Sequence, residues 1–185
     1  MAETLIKIRD LKTYFPVKKS IFSKKLFVRA VDNVNMDVPK GSTFAVVGES
    51  GSGKTTLART VLRLIEPTSG EIEFDGKNIL GLKGKDLLEV RRNMQIVFQD
   101  PYNSLHPRKL IKNIIGEGMK IHFKISEIEI RDRIASVLKE VGLIDDHMYR
   151  YAHEFSGGQR QRIAFARAIV RSEEHTSELQ SRQVI

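Results

Sequence analysis

The run Gly48-Glu49-Ser50-Gly51-Ser52-Gly53-Lys54-Thr55 matches the pattern G-x-x-x-x-G-K-[ST] at every position. It follows a short apolar stretch, Thr43 to Val47, which predicts a strand. A helix is predicted to follow, with an apolar face made of Leu57, Val61, Leu62 and Ile65 and an end at Pro67-Thr68-Ser69-Gly70. Glycines let backbone N–H groups turn inward around phosphate oxygens, and the helix adds the positive end of its dipole. The sequence therefore predicts a phosphate-binding loop in the strand–loop–helix context that the motif requires.

The polar residues of this loop have expected roles. Lys54 would reach the β- and γ-phosphates of ATP, and the hydroxyl of Thr55 would ligate Mg²⁺. On this motif alone, the fold could equally be that of a phosphate-loop kinase or a GTPase. The candidate ATP-binding residues of the loop are Gly48, Glu49, Ser50, Gly51, Ser52, Gly53, Lys54, Thr55 and Thr56.

A second glycine-rich run, Phe155-Ser156-Gly157-Gly158-Gln159-Arg160-Gln161-Arg162, separates these possibilities. Ser156 is a natural N-cap, and two glycines expose backbone N–H groups at a predicted helix N-terminus, which makes a second anion site. The run resembles the signature loop of ATP-binding-cassette (ABC) proteins, usually Leu-Ser-Gly-Gly-Gln, with Phe155 in place of the leucine.

The resemblance implies a fold and a set of partners. The fold is α/β, of the P-loop NTPase type, with a RecA-like core, an antiparallel β subdomain and a helical subdomain at about residues 108–155. In the family the signature loop clamps ATP held by a second ABC ATPase subunit in a head-to-tail dimer. The residues implied for this role are Ser156, Gly157, Gly158 and Gln159.

Two further candidates come from the same resemblance. Gln99 ends a predicted strand, Met94 to Phe98, and matches the family's Q-loop glutamine, which implies a catalytic role beside Mg²⁺ and the attacking water. An aromatic residue near position 15 would stack on adenine. Phe15 is the first choice and Tyr14 the second, and the alternative for each is an aromatic residue of the core.

The run from Gln95 to Arg108 and the run Tyr151-Ala152-His153-Glu154-Phe155 resemble the ATPases of oligopeptide and dipeptide importers. Two positions depart from that pattern: His106, where asparagine is expected, and Ala152, where proline is expected. The basic loop after Phe15-Pro16 resembles that of the second of the two ATPases that such importers pair. The resemblance implies peptide uptake through two membrane permease subunits, with the ATPase peripheral to the cytoplasmic face of a bacterial membrane. Nickel and glutathione importers share these features, so the solute stays open.

Composition excludes several other classes. The 185 residues contain no cysteine, which removes disulfides and thiolate metal sites, and the formal charge of +8 is spread along the chain, so direct nucleic-acid binding is not expected. No apolar run reaches the ~18 residues needed to span a bilayer, so direct membrane insertion is not expected either. The alternative class is a non-transport ABC protein. DNA-repair members carry coiled coils or zinc modules between the two motifs, which argues against them here, whereas a ribosome-acting type stays open.

The rest of the pattern predicts ordinary elements. Strands are expected at residues 3–10, at 28–38 and from Glu71 to Phe74. A capping box of Ser126 and Glu129 should start a helix that Gly142 ends, and a last helix should run from near Ser156 to about Val170. The apolar face of the helix between Ser126 and Gly142 comprises Ile130, Ile134, Val137, Leu138 and Val141. The histidines His122, His147 and His153 have no metal-ligand spacing and are expected to be structural or solvated.

The pattern breaks after Val170. The family calls for an apolar strand ending in Asp-Glu, whereas the run from Arg171 to Ser181 is polar and resembles, codon for codon, a translation of a widely used sequencing adapter. We expect residues 1–170 to be a partial ABC nucleotide-binding domain and residues 171–185 to be a non-native tail. Because the catalytic carboxylate and the switch histidine would be missing, the chain itself is expected to be inactive.

Overall fold

The structure, a computed structural model, describes residues 3–17, 26–100, 104–123 and 125–170. The chain divides into two compact units, Met1–Arg91 and Arg92–Ile185. The basic loop after Pro16 and the tail after Val170 lie outside the described residues.

The first unit is built on a four-stranded antiparallel sheet in the order β2-β1-β3-β4. The strands are β1 (Thr4–Val17), β2 (Leu26–Pro39), β3 (Ser69–Phe74) and β4 (Lys77–Asn78). The three strands predicted from alternation are confirmed, and all three are longer than predicted. In β1 the buried positions are Ile8, Leu11 and Thr13. The odd step from Ile8 to Leu11 coincides with a break in register and with a left-handed Asp10, φ 47°, as expected for a bulge.

Two helices belong to this part of the chain: α1 (Lys54–Val61) and α2 (Gly84–Arg92). Helix α1 ends before the predicted stop at Pro67. Two residues on, Arg63 adopts a left-handed conformation with φ 50° and is nearly buried. Its guanidinium donates to the carbonyl oxygens of Ile79 and Leu82, at 2.8 and 2.7 Å, and pairs with Glu66 at 2.8 Å. These bonds hold the chain in its turn away from the helix axis.

Two predicted strands are not formed, and both predictions are wrong for this structure. Residues 43–47 and 94–98 have no regular secondary structure and pair with no strand of the described sheet. Phe44 and Val46 are about half exposed, and Val47 is 91% exposed. A strand exists only through hydrogen bonds to a neighbour, and within the described parts of the chain no neighbouring strand meets either segment.

The second unit is helical and has its own core. It comprises α3 (Ile111–His122), α4 (Glu127–Glu140) and α5 (Gly157–Ile169), with short 3-10 turns at Asp145–Tyr149 and Ala152–Glu154. The predicted helical character of this region is confirmed. Its buried apolar cluster includes Leu105, Ile111, Ile115, Met119, Ile134, Val137, Leu138, Phe155, Ile163 and Val170. No helix among the described residues is long and apolar enough to span a bilayer.

The start of α4 shows half of the predicted capping box. The Ser126 hydroxyl accepts a hydrogen bond from the Glu129 amide at 3.2 Å, as predicted for an N-cap. The carboxylate of Glu129 does not return to Ser126 and instead accepts from the buried Arg133 at 2.7 Å. Gly142, with φ 72°, ends the helix region as predicted.

Candidate nucleotide-binding site

The predicted phosphate loop lies between the coil of residues 43–47 and helix α1. Gly51 and Gly53 have φ of 82° and 92°, a region that side chains rarely adopt. Gly53 also packs against β2 so closely that a side-chain carbon there would lie 2.0 Å from the carbonyl oxygen of Ala30. The loop therefore needs glycine at position 53 for both conformation and space.

Helix α1 presents its N-terminus to the loop without a competing group. Gly53 is its N-cap, no side chain caps it, and its first turn contains no acidic residue. The first N–H groups of a helix have no partner within the helix, and they carry the positive end of the dipole. This end of α1 is thus suited to bind an anion.

Lys54 adds a full positive charge to the same loop. Its ammonium donates to the carbonyl oxygens of Gly48 and Glu49, at 2.7 and 2.6 Å, and lies 3.3 Å from the Ser52 hydroxyl. The side chain is therefore folded back over the loop.

A cavity of about 360 Å³ joins the loop to strand β2. Its wall consists of Val28, Arg29 and Ala30 together with Gly51, Ser52, Gly53, Lys54, Thr55 and Thr56. Backbone N–H groups, an ammonium and hydroxyls suit a polyphosphate chain, and the exposed hydroxyl of Thr55 offers Mg²⁺ the oxygen ligand it prefers. The donor set thus fits a nucleotide with its cation. Val28 and Ala30 of β2 belong to no motif, so they could not be identified as part of the cavity wall from the sequence.

The two candidate aromatic residues differ in their surroundings. Phe15 pairs across the sheet with Val28, a residue of the cavity wall, and is 38% exposed. The Tyr14 hydroxyl instead donates to Asp32, and the guanidinium of Arg29 lies 5.5 Å from the centre of the Tyr14 ring. The hydrogen bond between the Tyr14 hydroxyl and Asp32 lowers the pKa of the Asp32 carboxyl and raises the pKa of the Tyr14 phenol. Both rings therefore have a cross-strand neighbour in the cavity wall, Val28 for Phe15 and Arg29 for Tyr14, but the Tyr14 hydroxyl is bound to Asp32.

The signature run forms the N-terminus of α5, as predicted. The Ser156 hydroxyl accepts from the Gln159 amide at 3.3 Å, and the Gln159 side chain accepts from the Ser156 amide at 3.0 Å, which completes a capping box. Gly157 follows the cap, and an added side-chain carbon at Gly158 would meet nothing within 4 Å. Nothing in the described chain therefore requires glycine at position 158.

Phe155 anchors this run in the helical core. It is buried, and its ring meets the ring of His147 edge to face, with centroids 5.1 Å apart. Arg160 donates to the carbonyl oxygens of Phe155 and His153, at 2.9 and 3.0 Å. The replacement of the usual leucine thus preserves an apolar anchor. His147, which was expected to be structural or solvated, takes part in that packing.

Gln99, the candidate catalytic residue, is exposed and follows the coil of residues 94–98 in the second unit. The run that follows it is described only in part, because residues 101–103 lie outside the described residues. His153, in the run before the signature, stacks on Tyr151 and its ring nitrogen lies 3.0 Å from the Pro107 carbonyl oxygen.

Comparison with known proteins places this arrangement in a family. A family model described as "ABC transporter" matches residues 31–175. The oligopeptide transport ATP-binding protein AppF of Bacillus subtilis is 46% identical over 169 residues, which are 90% of this chain and 51% of AppF. The dipeptide transport ATP-binding protein DppF of Haemophilus influenzae is 46% identical over 166 residues, 90% of this chain and 51% of DppF. The chain spans about half the length of these relatives.

Solved structures agree with this placement. The ATP-binding cassette MJ0796, in a dimeric post-hydrolysis state bound to ADP and Pi, superposes with a TM-score of 0.79 at 27% identity, covering 90% of this chain and 70% of that one. The cbiO1 protein of Clostridium perfringens, part of an ABC transporter complex, gives a TM-score of 0.72 at 28% identity, with 98% of this chain and 73% of that one covered. The α/β cassette fold predicted from sequence agrees with these matches, and the chain belongs to the ABC transporter ATP-binding family.

Proposed function

We propose that this chain is part of an ATP-binding and ATP-hydrolysing subunit that powers peptide uptake through an ABC importer. The observation that carries the proposal is the cavity in which an uncapped helix N-terminus, two left-handed glycines and Lys54 adjoin the strand surface beside Phe15. The names of the relatives AppF and DppF support peptides as the solute class.

In this proposal each group has one task. The N–H groups of the loop and of α1 hold the phosphate chain, and Lys54 neutralises charge on the β- and γ-phosphates. Phe15 stacks on adenine. Mg²⁺ would be held by Thr55 and would neutralise further phosphate charge. Phosphoryl transfer depends mainly on such positioning and electrostatics.

The proposed assembly is a head-to-tail dimer with a second ABC ATPase subunit, seated on two permease subunits at the cytoplasmic face of a bacterial membrane. The open space beside Gly158 supports a role for the signature run outside its own chain, because no contact within the chain explains that glycine. The dimeric state of the matched cassette MJ0796 agrees with this arrangement.

A growth experiment tests the proposed function. The gene is disrupted in an amino-acid auxotroph of the source bacterium, and growth is measured on a peptide that contains the required residue and on the free amino acid. We expect loss of growth on the peptide only, restored by the wild-type gene and not by Lys54→Ala. Unchanged growth on di- and oligopeptides would contradict peptide import.

We also propose that residues 171–185 are not part of the natural protein and that the natural gene continues beyond Val170. The full-length product of that gene is called the parent protein below. Amplifying and resequencing the locus from source DNA should show an apolar strand ending in Asp-Glu after Val170. Genomic DNA that encodes Ser172 to Ser181 as given would refute this.

A further inference from the structure

Two buried threonines join strand β1 to helix α1. The hydroxyl oxygens of Thr13 and Thr60 lie 3.2 Å apart, and the two residues are 1% and 0% exposed. A buried hydroxyl is costly unless it is hydrogen-bonded, and valine would fill either position with the same shape. Packing alone therefore does not explain why both positions are occupied by threonine.

The direction of this hydrogen bond follows from its surroundings. The Thr60 hydroxyl donates its single proton to the carbonyl oxygen of Thr56, at 2.8 Å. Thr13 must then be the donor to Thr60. The chain of bonds runs from β1, through Thr60, to the backbone of Thr56, which lines the nucleotide cavity.

Thr68 makes two further hydrogen bonds to the same part of β1. The Thr68 amide donates to the Lys12 carbonyl at 2.7 Å, and the Tyr14 amide donates to the Thr68 hydroxyl at 2.9 Å. The register of β1 against β2 also shifts on both sides of Thr13. These contacts fix the strand immediately before Phe15, and the Thr13–Thr60 bond is the buried one that reaches α1 itself.

We propose that Thr13 and Thr60 are positioning residues that set the separation between the adenine-stacking ring of Phe15 and the phosphate loop. They determine how much tighter a nucleotide binds than a bare polyphosphate, because only a ligand with a base must reach both places at once. This inference rests on the proposed function, of which it specifies the binding geometry.

The experiment uses the parent protein and two ligands. Dissociation constants for ATP and for inorganic tripolyphosphate, each with Mg²⁺, are measured by calorimetry for wild type, Thr13→Val, Thr60→Val and the double variant. We expect Thr13→Val to weaken ATP binding by roughly tenfold, in line with the sensitivity of bound ligands to small misplacement, and to leave tripolyphosphate binding within about twofold. The control is Thr4→Val, an exposed threonine of the same strand, which should change neither constant.

Thermal unfolding separates positioning from stability. Thr60→Val leaves the Thr13 hydroxyl buried without this partner, so its melting temperature should fall furthest. The double variant replaces both partners and should recover that temperature while its ATP affinity stays low. Equal weakening for ATP and tripolyphosphate, or unchanged ATP affinity in Thr13→Val, would overturn the positioning role. Wild type that binds neither ligand would overturn the proposed function, and this inference with it.

Discussion

At the scale of single residues, the site depends on side chains that are small or absent. Gly53 is required by its contact with Ala30, and Ser156 by its place at the head of α5. Both were identified from the sequence, because each belongs to a short motif in which spacing reflects local hydrogen bonding. For Glu129 the prediction from a short motif was wrong. Its carboxylate was predicted to accept a hydrogen bond from the Ser126 amide, three residues upstream. It accepts one instead from the charged guanidinium of Arg133, one turn downstream.

Lys54→Ala in the parent protein should reduce the rate of ATP hydrolysis by at least about 100-fold, because a preorganised charge at the transferring phosphate is lost. Phosphate release under saturating Mg-ATP measures the rate. Lys40→Ala is the matched control, since Lys40 is an exposed lysine paired with Glu3, and it should keep the wild-type rate. A Lys54→Ala variant that hydrolyses ATP at the wild-type rate would show that the loop has no role in hydrolysis.

Ser156→Arg should leave ATP binding to a single subunit intact and abolish turnover, because in the proposed dimer Ser156 faces the nucleotide of the partner. Equilibrium binding and steady-state hydrolysis are measured on the same preparation of the parent protein. Ser126→Arg is the control, because Ser126 caps α4 in the same unit and has no proposed ligand. Turnover at the wild-type rate in Ser156→Arg would show that the signature assignment is wrong.

At the scale of helices and strands, prediction succeeded where helix caps or a regular alternation of apolar residues mark the element. The helices α4 and α5 begin and end close to their predicted limits, because caps and apolar periodicity are properties of neighbouring residues. The antiparallel strands were also found from alternation. The segments 43–47 and 94–98 were not strands, since an apolar run shows that a segment can pair but does not supply the partner.

In the parent protein, Ile134→Ala should destabilise the helical unit by about 2–5 kcal/mol, as expected for truncation of an isoleucine in a packed core. Ile134 is 2% exposed, whereas Ile128 of the same helix is 66% exposed and serves as the control. Hydrogen exchange of the α4 amides is the measurement. Protection should fall sharply in Ile134→Ala and stay unchanged in Ile128→Ala, and equal protection in the two variants would contradict the described core.

At the scale of the whole molecule, the two units differ in how well each encloses its apolar residues. The helical unit has a contiguous core from Leu105 to Val170. In the first unit Phe44, Val46 and Val47 are exposed, and their backbone pairs with no strand of the described sheet. Exposed apolar segments with unpaired backbone favour association between chains.

The 185-residue chain, purified as given, should therefore show no ATP hydrolysis and no cooperative thermal transition, and it should aggregate. Segment 43–47 is exposed and adds no apolar burial to the first unit, whereas a typical domain is stable by only ~5–15 kcal/mol. Calorimetry with and without Mg-ATP is the measurement. A sharp melt that moves to higher temperature with Mg-ATP would refute the prediction, because ligand stabilisation requires a folded site.

Arg63 has a consequence for how related sequences are compared. Its left-handed backbone favours glycine, yet glycine would forfeit the bonds to Ile79, Leu82 and Glu66, and lysine could not reproduce the fork of the guanidinium. Selection would then retain arginine here in any relative that keeps this turn. An arginine that recurs one helix after a phosphate loop invites assignment as a phosphate ligand. If arginine were conserved at this position, the cause would instead be the hydrogen bonds by which its side chain stabilises the turn of the backbone.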